Sequence, residues 1–430
     1  MQDRIDKEPL AAQTLRAVFF RPGVTSIRSG RAPNGAQFRR TVRSERAAPL
    51  RSPDTIRPQQ VLVFQGSIVA LGRLPFGDRH MAKTRMAGRA LKGLVLTASL
   101  FAWVPANATP VLVVDADSRQ VLYQEDAAVQ WYPASTTKLM TALVVFEALR
   151  SGEVTLATPV TMSRAAMKQA FLESGLTVGR AMTLEDSLYA LITASANDVA
   201  VALAETVSTD EASFVRRMND TAARLGLTGT HFSSPNGLFD RNTYSTARDL
   251  AILGLEVDRQ FPEYRRFFLA SAVTIDGKEI KSNNLLLTRF GGTIGMKTGF
   301  LCASGRNFVG LATRNGKRIM VVILGATTER ERNERSAQYL TQAFEGRLSA
   351  GAGLVDNLRN RTDVAPQDMR VRLCTDQSAA YEASRDALYP MGLPGHETYL
   401  RDQIPGQVHA ITTWADDKAA DVPIPTPRPS

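Results

Sequence analysis

YPASTTKLMTAL, residues 132–143, sets Ser135 three positions before Lys138, with Pro133 just ahead and a long apolar run behind. In a helix, positions i and i+3 lie on one face, so the hydroxyl and the amine can meet. The apolar residues that follow (Leu139, Met140, Leu143, Val144, Phe146 and Leu149) surround most of the helix circumference. That pattern predicts a helix from about Ser135 to Leu149, buried at the centre of a domain. A serine at its start would lie in the favourable field of the helix dipole.

Outward from this helix the character of the chain changes twice. Before it, PVLVVDADSRQVLYQED (110–126) holds two β-rich runs separated by Asp115 to Gln120, which reads as a hairpin. After it, residues 150–260 read mostly helical, in SRAAMKQAF, TLEDSLYALITASA, DVAVALAETV and DEASFVRRMNDTAARLGL, then TARDLAILGLEV with Thr246 as its candidate N-cap. Beyond about Phe268 come AVTIDGKEI, GGTIGMKTGF and RNFVGLATRNGKRIMVVILGA, whose Asn315-Gly316 is a strong hairpin signal, and a charged helix from about Glu329 to Phe344. Strands, then helices, then strands and a helix describe an α/β chain of the α+β type, not a doubly wound parallel sheet. No internal repeat is present.

The formal charge of +10 invites a nucleic-acid reading, but it sits outside this body. Residues 1–80 hold 14 Lys+Arg against 6 Asp+Glu, residues 81–108 add four basic residues and no acid, and the rest of the chain nets −2. Residues 81–108, MAKTRMAGRALKGLVLTASLFAWVPANA, have a basic start, an apolar stretch from about Gly93 to Val104 and the small-residue pattern Ala106-Asn107-Ala108. This is the three-part pattern of a cleaved signal peptide, with Thr109 the first mature residue. The apolar stretch is short for a bilayer span. The arginine-rich segment 1–80, broken by five prolines between Pro22 and Pro58, sustains no helical or strand period. It is expected to be a misassigned upstream region, translation starting at Met81 or Met86, or else a disordered basic arm. Nucleic-acid binding would rest on its charge alone, without aromatic interleaving or a recognisable module.

Two cysteines, Cys302 and Cys374, would enter an oxidising compartment on export, where pairing is open to them; sequence leaves their proximity undecided. Four scattered histidines show no metal-ligand spacing, so no metal or cofactor is expected. From 349 to 430 the composition loosens and ends in ADDKAADVPIPTPRPS, the signature of a loosely structured tail.

One Ser-x-x-Lys match means little by itself. Two further elements change its weight: Ser195-Ala196-Asn197 after a helical run, and Lys297-Thr298-Gly299 in a strand-like GMKTGF. Ser-x-x-Lys, Ser-x-Asn and Lys-Thr-Gly in this order form the motif set of serine penicillin-interacting enzymes. The chemistry is coherent. A serine hydroxyl needs a base within hydrogen-bond reach, and Lys138 can serve if burial and a neighbouring cation such as Lys297 favour its neutral form. Lys297 and Thr298 can also bind a carboxylate, Ser195 can relay a proton, Asn197 can hold an amide, and backbone N–H groups can receive an oxyanion.

With the blocks THFSSPNGLFD, YSTARDLAILG and GMKTGFLCASGRNFVG added, the sequence over about residues 109–348 resembles the D-alanyl-D-alanine carboxypeptidases, low-molecular-mass penicillin-binding proteins of the bacterial envelope. The resemblance implies a β-lactamase/transpeptidase-like fold, with an antiparallel sheet flanked by helices and an all-helical subdomain. It implies Ser135 as acyl-ester nucleophile, Lys138 as its general base, and Ser195 and Asn197 as the second wall of the cleft. Lys297 and Thr298 would take the terminal carboxylate, and the N–H groups of Ser135 and Phe300 would form the oxyanion hole. The implied substrate is the peptidoglycan stem pentapeptide, with β-lactams acylating the same serine in the periplasm. Ala196 stands where the family often has glycine, and the C-terminal region shows no amphipathic anchor helix, so no stable membrane anchor is expected. A DD-endopeptidase or a non-catalytic peptidoglycan-binding protein stays open as an alternative. A class A β-lactamase would need a deacylating Glu-x-x-Leu-Asn stretch, which is missing between Ser195 and Lys297.

Overall fold

A computed structural model describes residues 109–171, 174–348, 351 and 353–416. The expected extension 1–80, the signal peptide 81–108 and the last part of the tail lie outside the described residues. The chain opens with the anticipated hairpin, β1 (Val111–Asp115) and β2 (Val121–Glu125), and a 3₁₀ turn, Ala134–Thr137, leads into α1 (Lys138–Ser151). Next come β3 (Pro159–Thr161), β4 (Arg180–Thr183), α2 (Leu184–Tyr189), α3 (Asn197–Val207), α4 (Glu211–Arg224), α5 (Ala247–Gln260) and α6 (Arg266–Leu269). Then follow β5 (Ala272–Ile275), β6 (Lys278–Lys281), α7 (Leu286–Arg289), β7 (Thr293–Leu301), β8 (Gly305–Arg314), β9 (Lys317–Ala326) and α8 (Glu329–Phe344). The last described elements are α9 (Arg370–Leu373), α10 (Ser378–Leu388), β10 (Val408–Ile411) and β11 (Trp414–Ala415).

The main sheet is antiparallel, in the order β2-β1-β9-β8-β7. Its first and last sequence segments meet at its centre, because the apolar runs of β1 and β9 are buried on both faces. Val111 and Val113 with Ile319, Val321 and Ile323 face α8, through Ala337, Leu340 and Ala343. The alternate residues Leu112, Val114, Met320, Val322 and Leu324 face the opposite core, which holds α1 and α5. This is the two-residue period of a strand packed on both sides. Between β8 and β9, Asn315 and Gly316 both take positive φ (51° and 77°), as a two-residue hairpin turn requires. The Thr246 hydroxyl caps α5 by accepting from the Asp249 N–H, as its position implied.

Three local readings are corrected. The helix expected to open at Ser135 begins at Lys138, with Ser135 on the preceding 3₁₀ turn. SRAAMKQAF forms only the short 3₁₀ turn Ala166–Lys168 within a loop, and β3 and β4 interrupt the mostly helical stretch. The region expected to be a loose tail carries α9, α10 and two strands between 353 and 416. β10 adds in parallel to β5, β11 adds antiparallel to β4, and Cys302–Cys374 is a disulfide with Cα atoms 5.8 Å apart. Each of the two strands borrows a partner for its backbone from an existing sheet edge, so neither needs a long apolar period of its own.

Residue Glu331 of α8 fastens this wrap to the body. Its carboxylate accepts from Arg385 of α10 (2.5 Å), Arg335 (3.0 Å) and the Thr327 N–H (2.9 Å). Burial pushes its carboxyl up, but Arg385, Arg335 and the Thr327 N–H outweigh that and hold it below the ordinary glutamate range. The sign follows from linkage: a depressed folded-state value contributes stability that is present above the unfolded value, about pH 4.3, and is lost as pH falls through the folded value. Glu331→Gln should start less stable at pH 7 and lose less on acidification to pH 3 than the wild type, read from urea midpoints. Replacing both Cys302 and Cys374 by serine opens a loop spanning 72 positions. It should lower stability by up to about 4 kcal/mol in equilibrium urea unfolding.

Candidate active site

Because β7 is an edge strand, its outer side is open, and the turn carrying Ser135 packs against it. The approach is close enough to require glycine. A Cβ on Gly299 would stand 2.9 Å from the Ser135 nitrogen and 3.0 Å from that of Thr136. Asn307 on β8 holds the segment before the turn, its Nδ2 donating to the carbonyls of Tyr132 (2.9 Å) and Pro133 (3.0 Å). In a 3₁₀ turn, side chains at i and i+3 eclipse. Ser135 Oγ and Lys138 Nζ accordingly lie 2.9 Å apart.

The side chain of Lys138 is fully buried, and its Nζ also donates to Asn197 Oδ1 (2.7 Å) and the Asn236 carbonyl (2.8 Å). A buried amine without acceptors would be costly, so these contacts tie α1, the start of α3 and the 231–240 loop into one unit. The loop can come this near because Gly237 has φ +75° and no Cβ; one built there would meet the Ala134 carbonyl oxygen at 2.1 Å.

Across the cleft, a π-helical turn, Ala190–Ala194, ends at Ser195 in the left-handed region (φ 60°). Its hydroxyl accepts from Lys297 Nζ at 2.9 Å, and Lys297 also donates to the Thr298 carbonyl (2.9 Å). Lys297 is buried beneath the site. Asn197 Nδ2 donates to the carbonyls of Ala170 (3.1 Å) and Phe171 (3.2 Å), which fixes its amide and the loop above it.

Ser135, Ser195, Asn197, Thr298 and Phe300 line one cavity of about 440 Å³, with Lys138 and Lys297 bonded to its wall. All seven residues singled out in the sequence therefore converge. Sequence reasoning missed others around the same cavity: Phe171 and Phe239 at its mouth, Arg332 on α8, and Arg370 on α9. Arg332 donates to Asn333 Oδ1 (3.1 Å) and the Asn283 carbonyl, and burial pulls its guanidinium below the ordinary arginine range to about 10, Glu329 acting in the opposite sense. It remains a cation at neutral pH. Nothing in a charged helix marks which arginine turns inward.

The fold is of the transpeptidase type, with the Ser135–Lys138 pair at the wall of its cleft. The family model described as D-alanyl-D-alanine carboxypeptidase, Peptidase S11, matches residues 102–328, and the chain belongs to that family. It is similar to the D-alanyl-D-alanine carboxypeptidase DacA of Haemophilus influenzae, 34% identical over 243 residues, covering 55% of this chain and 62% of that one. The chain thus spans about three fifths of that relative's length. Penicillin binding protein 5 from Haemophilus influenzae aligns with a TM-score of 0.53 at 32% identity, covering 55% of this chain and 71% of that chain. Penicillin-Binding Protein D2 from Listeria monocytogenes in its cefotaxime-bound form aligns with a TM-score of 0.50 at 30% identity, over 55% and 96% of the two chains.

Gly237→Ala should force the 231–240 loop off the Ser135 turn, lowering stability by about 1–3 kcal/mol. Urea unfolding measures the loss, and Gly152→Ala, where a Cβ meets nothing within 4 Å at a similar φ of +77°, separates the cost of the clash from that of the backbone angle.

Proposed function

We propose that this protein is a serine-type D-Ala-D-Ala carboxypeptidase that removes the terminal D-alanine from peptidoglycan stem pentapeptides. The observation that carries the reading is the Ser135 Oγ to Lys138 Nζ contact of 2.9 Å at the wall of a cavity whose far side is the Ser195–Lys297 pair. Membership of the family supports it, as does the cefotaxime-bound form of the Listeria relative.

In this reading the Ser135 oxygen attacks the carbonyl carbon of the penultimate residue while its proton passes to neutral Lys138. The oxyanion of the tetrahedral intermediate accepts from the N–H groups of Ser135 and Phe300. The C–N bond then breaks, and the leaving D-alanine amine takes the proton from Lys138 by way of Ser195. The acyl-ester on Ser135 is attacked by water, with Lys138 again accepting a proton, and the shortened stem peptide leaves. Lys297 and Thr298 hold the terminal carboxylate, and Arg332, a buried cation open to the same cavity, reinforces that end. Asn197 holds the substrate amide and, through its bond to Lys138, keeps the base aimed at Ser135. A β-lactam presents a strained carbonyl to the same serine and leaves a longer-lived adduct.

Export through a cleaved signal peptide at 81–108, with action in the periplasm, completes the proposal. Among the described residues no helix is long and apolar enough to cross a membrane.

Intact-mass spectrometry before and after incubation with penicillin is the test. The expected result is a starting mass from Thr109 onward and a single adduct on Ser135, absent in Ser135→Ala. Lys138→Met should slow acylation by roughly 10²–10⁴-fold, the range of a lost general base. A folded, processed protein that takes no adduct and releases no D-alanine overturns the reading. Comparing D-alanine release from a pentapeptide with cleavage of a cross-linked dimer separates carboxypeptidase from endopeptidase.

A further inference from the structure

If Ser135 is the acylated residue, as proposed above, a peptide in the cleft has a fixed direction. Its carboxylate end lies by Thr298 and its scissile carbonyl by the Phe300 N–H. The part upstream of the scissile bond must then continue along the open edge of β7 toward Leu301 and Cys302. At about 3.3 Å per residue, the second residue beyond the scissile carbonyl reaches the turn at Cys302.

What stands at that turn comes from outside the family-matched stretch 102–328. It is α9, pinned in three ways: by the Cys302–Cys374 disulfide, by the Met369 N–H donating to the Ala303 carbonyl (3.0 Å), and by the buried Met369 side chain. The pinned turn presents Arg370 to the cavity that holds Ser135. The guanidinium is stacked 4.3 Å from the centroid of the Phe239 ring, and the side chain is half exposed. Asp368 accepts from Nε (2.9 Å) and Nη2 (2.6 Å), leaving Nη1 without a hydrogen-bond partner among the described residues. A cation braced by a carboxylate and an aromatic face has lost most of its rotamer freedom before a ligand arrives, so binding costs it little further entropy. Its planar fork suits a carboxylate better than a neutral amide.

We propose that Arg370 is a specificity-determining residue. It selects stem peptides that carry a carboxylate on the side chain about two residues upstream of the scissile carbonyl, over peptides in which that group is amidated. The disulfide fixes it in place, and Asp368 limits its strength by sharing the guanidinium.

The test uses two peptides ending in D-Ala-D-Ala that differ only in this group, carboxylate against primary amide. Affinities are measured by calorimetry on Ser135→Ala protein and kcat/KM on the wild type by D-alanine release. The carboxylate peptide should bind roughly three- to tenfold tighter, the range of a partly exposed charge-assisted contact. Adding Arg370→Ala should bring the ratio close to one, and adding Asp368→Asn should widen it. A ratio that neither substitution moves overturns the proposal, even if both peptides weaken together, since an equal loss marks a merely structural role. Wild-type protein that releases no D-alanine and takes no penicillin adduct would sink the proposed activity, and the binding ratio would still decide the role of Arg370.

Discussion

Placing a lysine amine in the interior creates an obligation that the surrounding fold has to meet, and most of the site is arranged around Lys138. Its Nζ reaches Ser135, Asn197 and the Asn236 carbonyl, three points belonging to the 3₁₀ turn before α1, the start of α3 and a loop distant from both in sequence. An unsatisfied amine in this position would be destabilising by several kcal/mol, so the three elements keep one relative placement. The same contacts aim the amine at the serine. Structural satisfaction and chemical positioning are thus one set of hydrogen bonds.

A second constraint is the closeness of the Ser135 turn to β7. Backbone meets backbone there, and only glycine at 299 leaves room. On the other side, Gly237 lets its loop touch the Ala134 carbonyl. The Ser135 turn is therefore held between two glycines, with Asn307 fixing the segment that enters it. Rigid supports of this kind keep the Ser135 hydroxyl at one place beside Lys138.

The C-terminal segment adds a further layer. Its strands extend two small sheets, Arg385 joins Glu331, and Cys374 ties α9 to the turn after the Lys-Thr-Gly strand. Charged and aromatic side chains around the cleft consequently come from both halves of the chain: Phe171 and Phe239 from the helical half, Arg332 and Arg370 from the later one.

Much of the architecture was legible in the sequence because it depends on local periodicity. The continuous apolar runs of β1 and β9, the Asn315-Gly316 turn, the Thr246 cap and the extent of α8 are each set by neighbours a few positions apart. The first motif was legible for a related reason: Ser135 and Lys138, three positions apart, need only a single turn to meet. SRAAMKQAF misled because its helix-forming composition is overridden by its place at the cleft. The pairing of Cys302 with Cys374, the inward turn of Arg332 and the arrival of Arg370 at the cavity were settled only in three dimensions. Contacts between residues far apart in sequence follow from how whole elements pack, and no local pattern encodes that. The sequence by itself determined the main antiparallel sheet, most helices of the body and the meeting of Ser135 with Lys138; tertiary structure decided what surrounds that pair, because burial and charge at a cleft belong to the assembled surfaces.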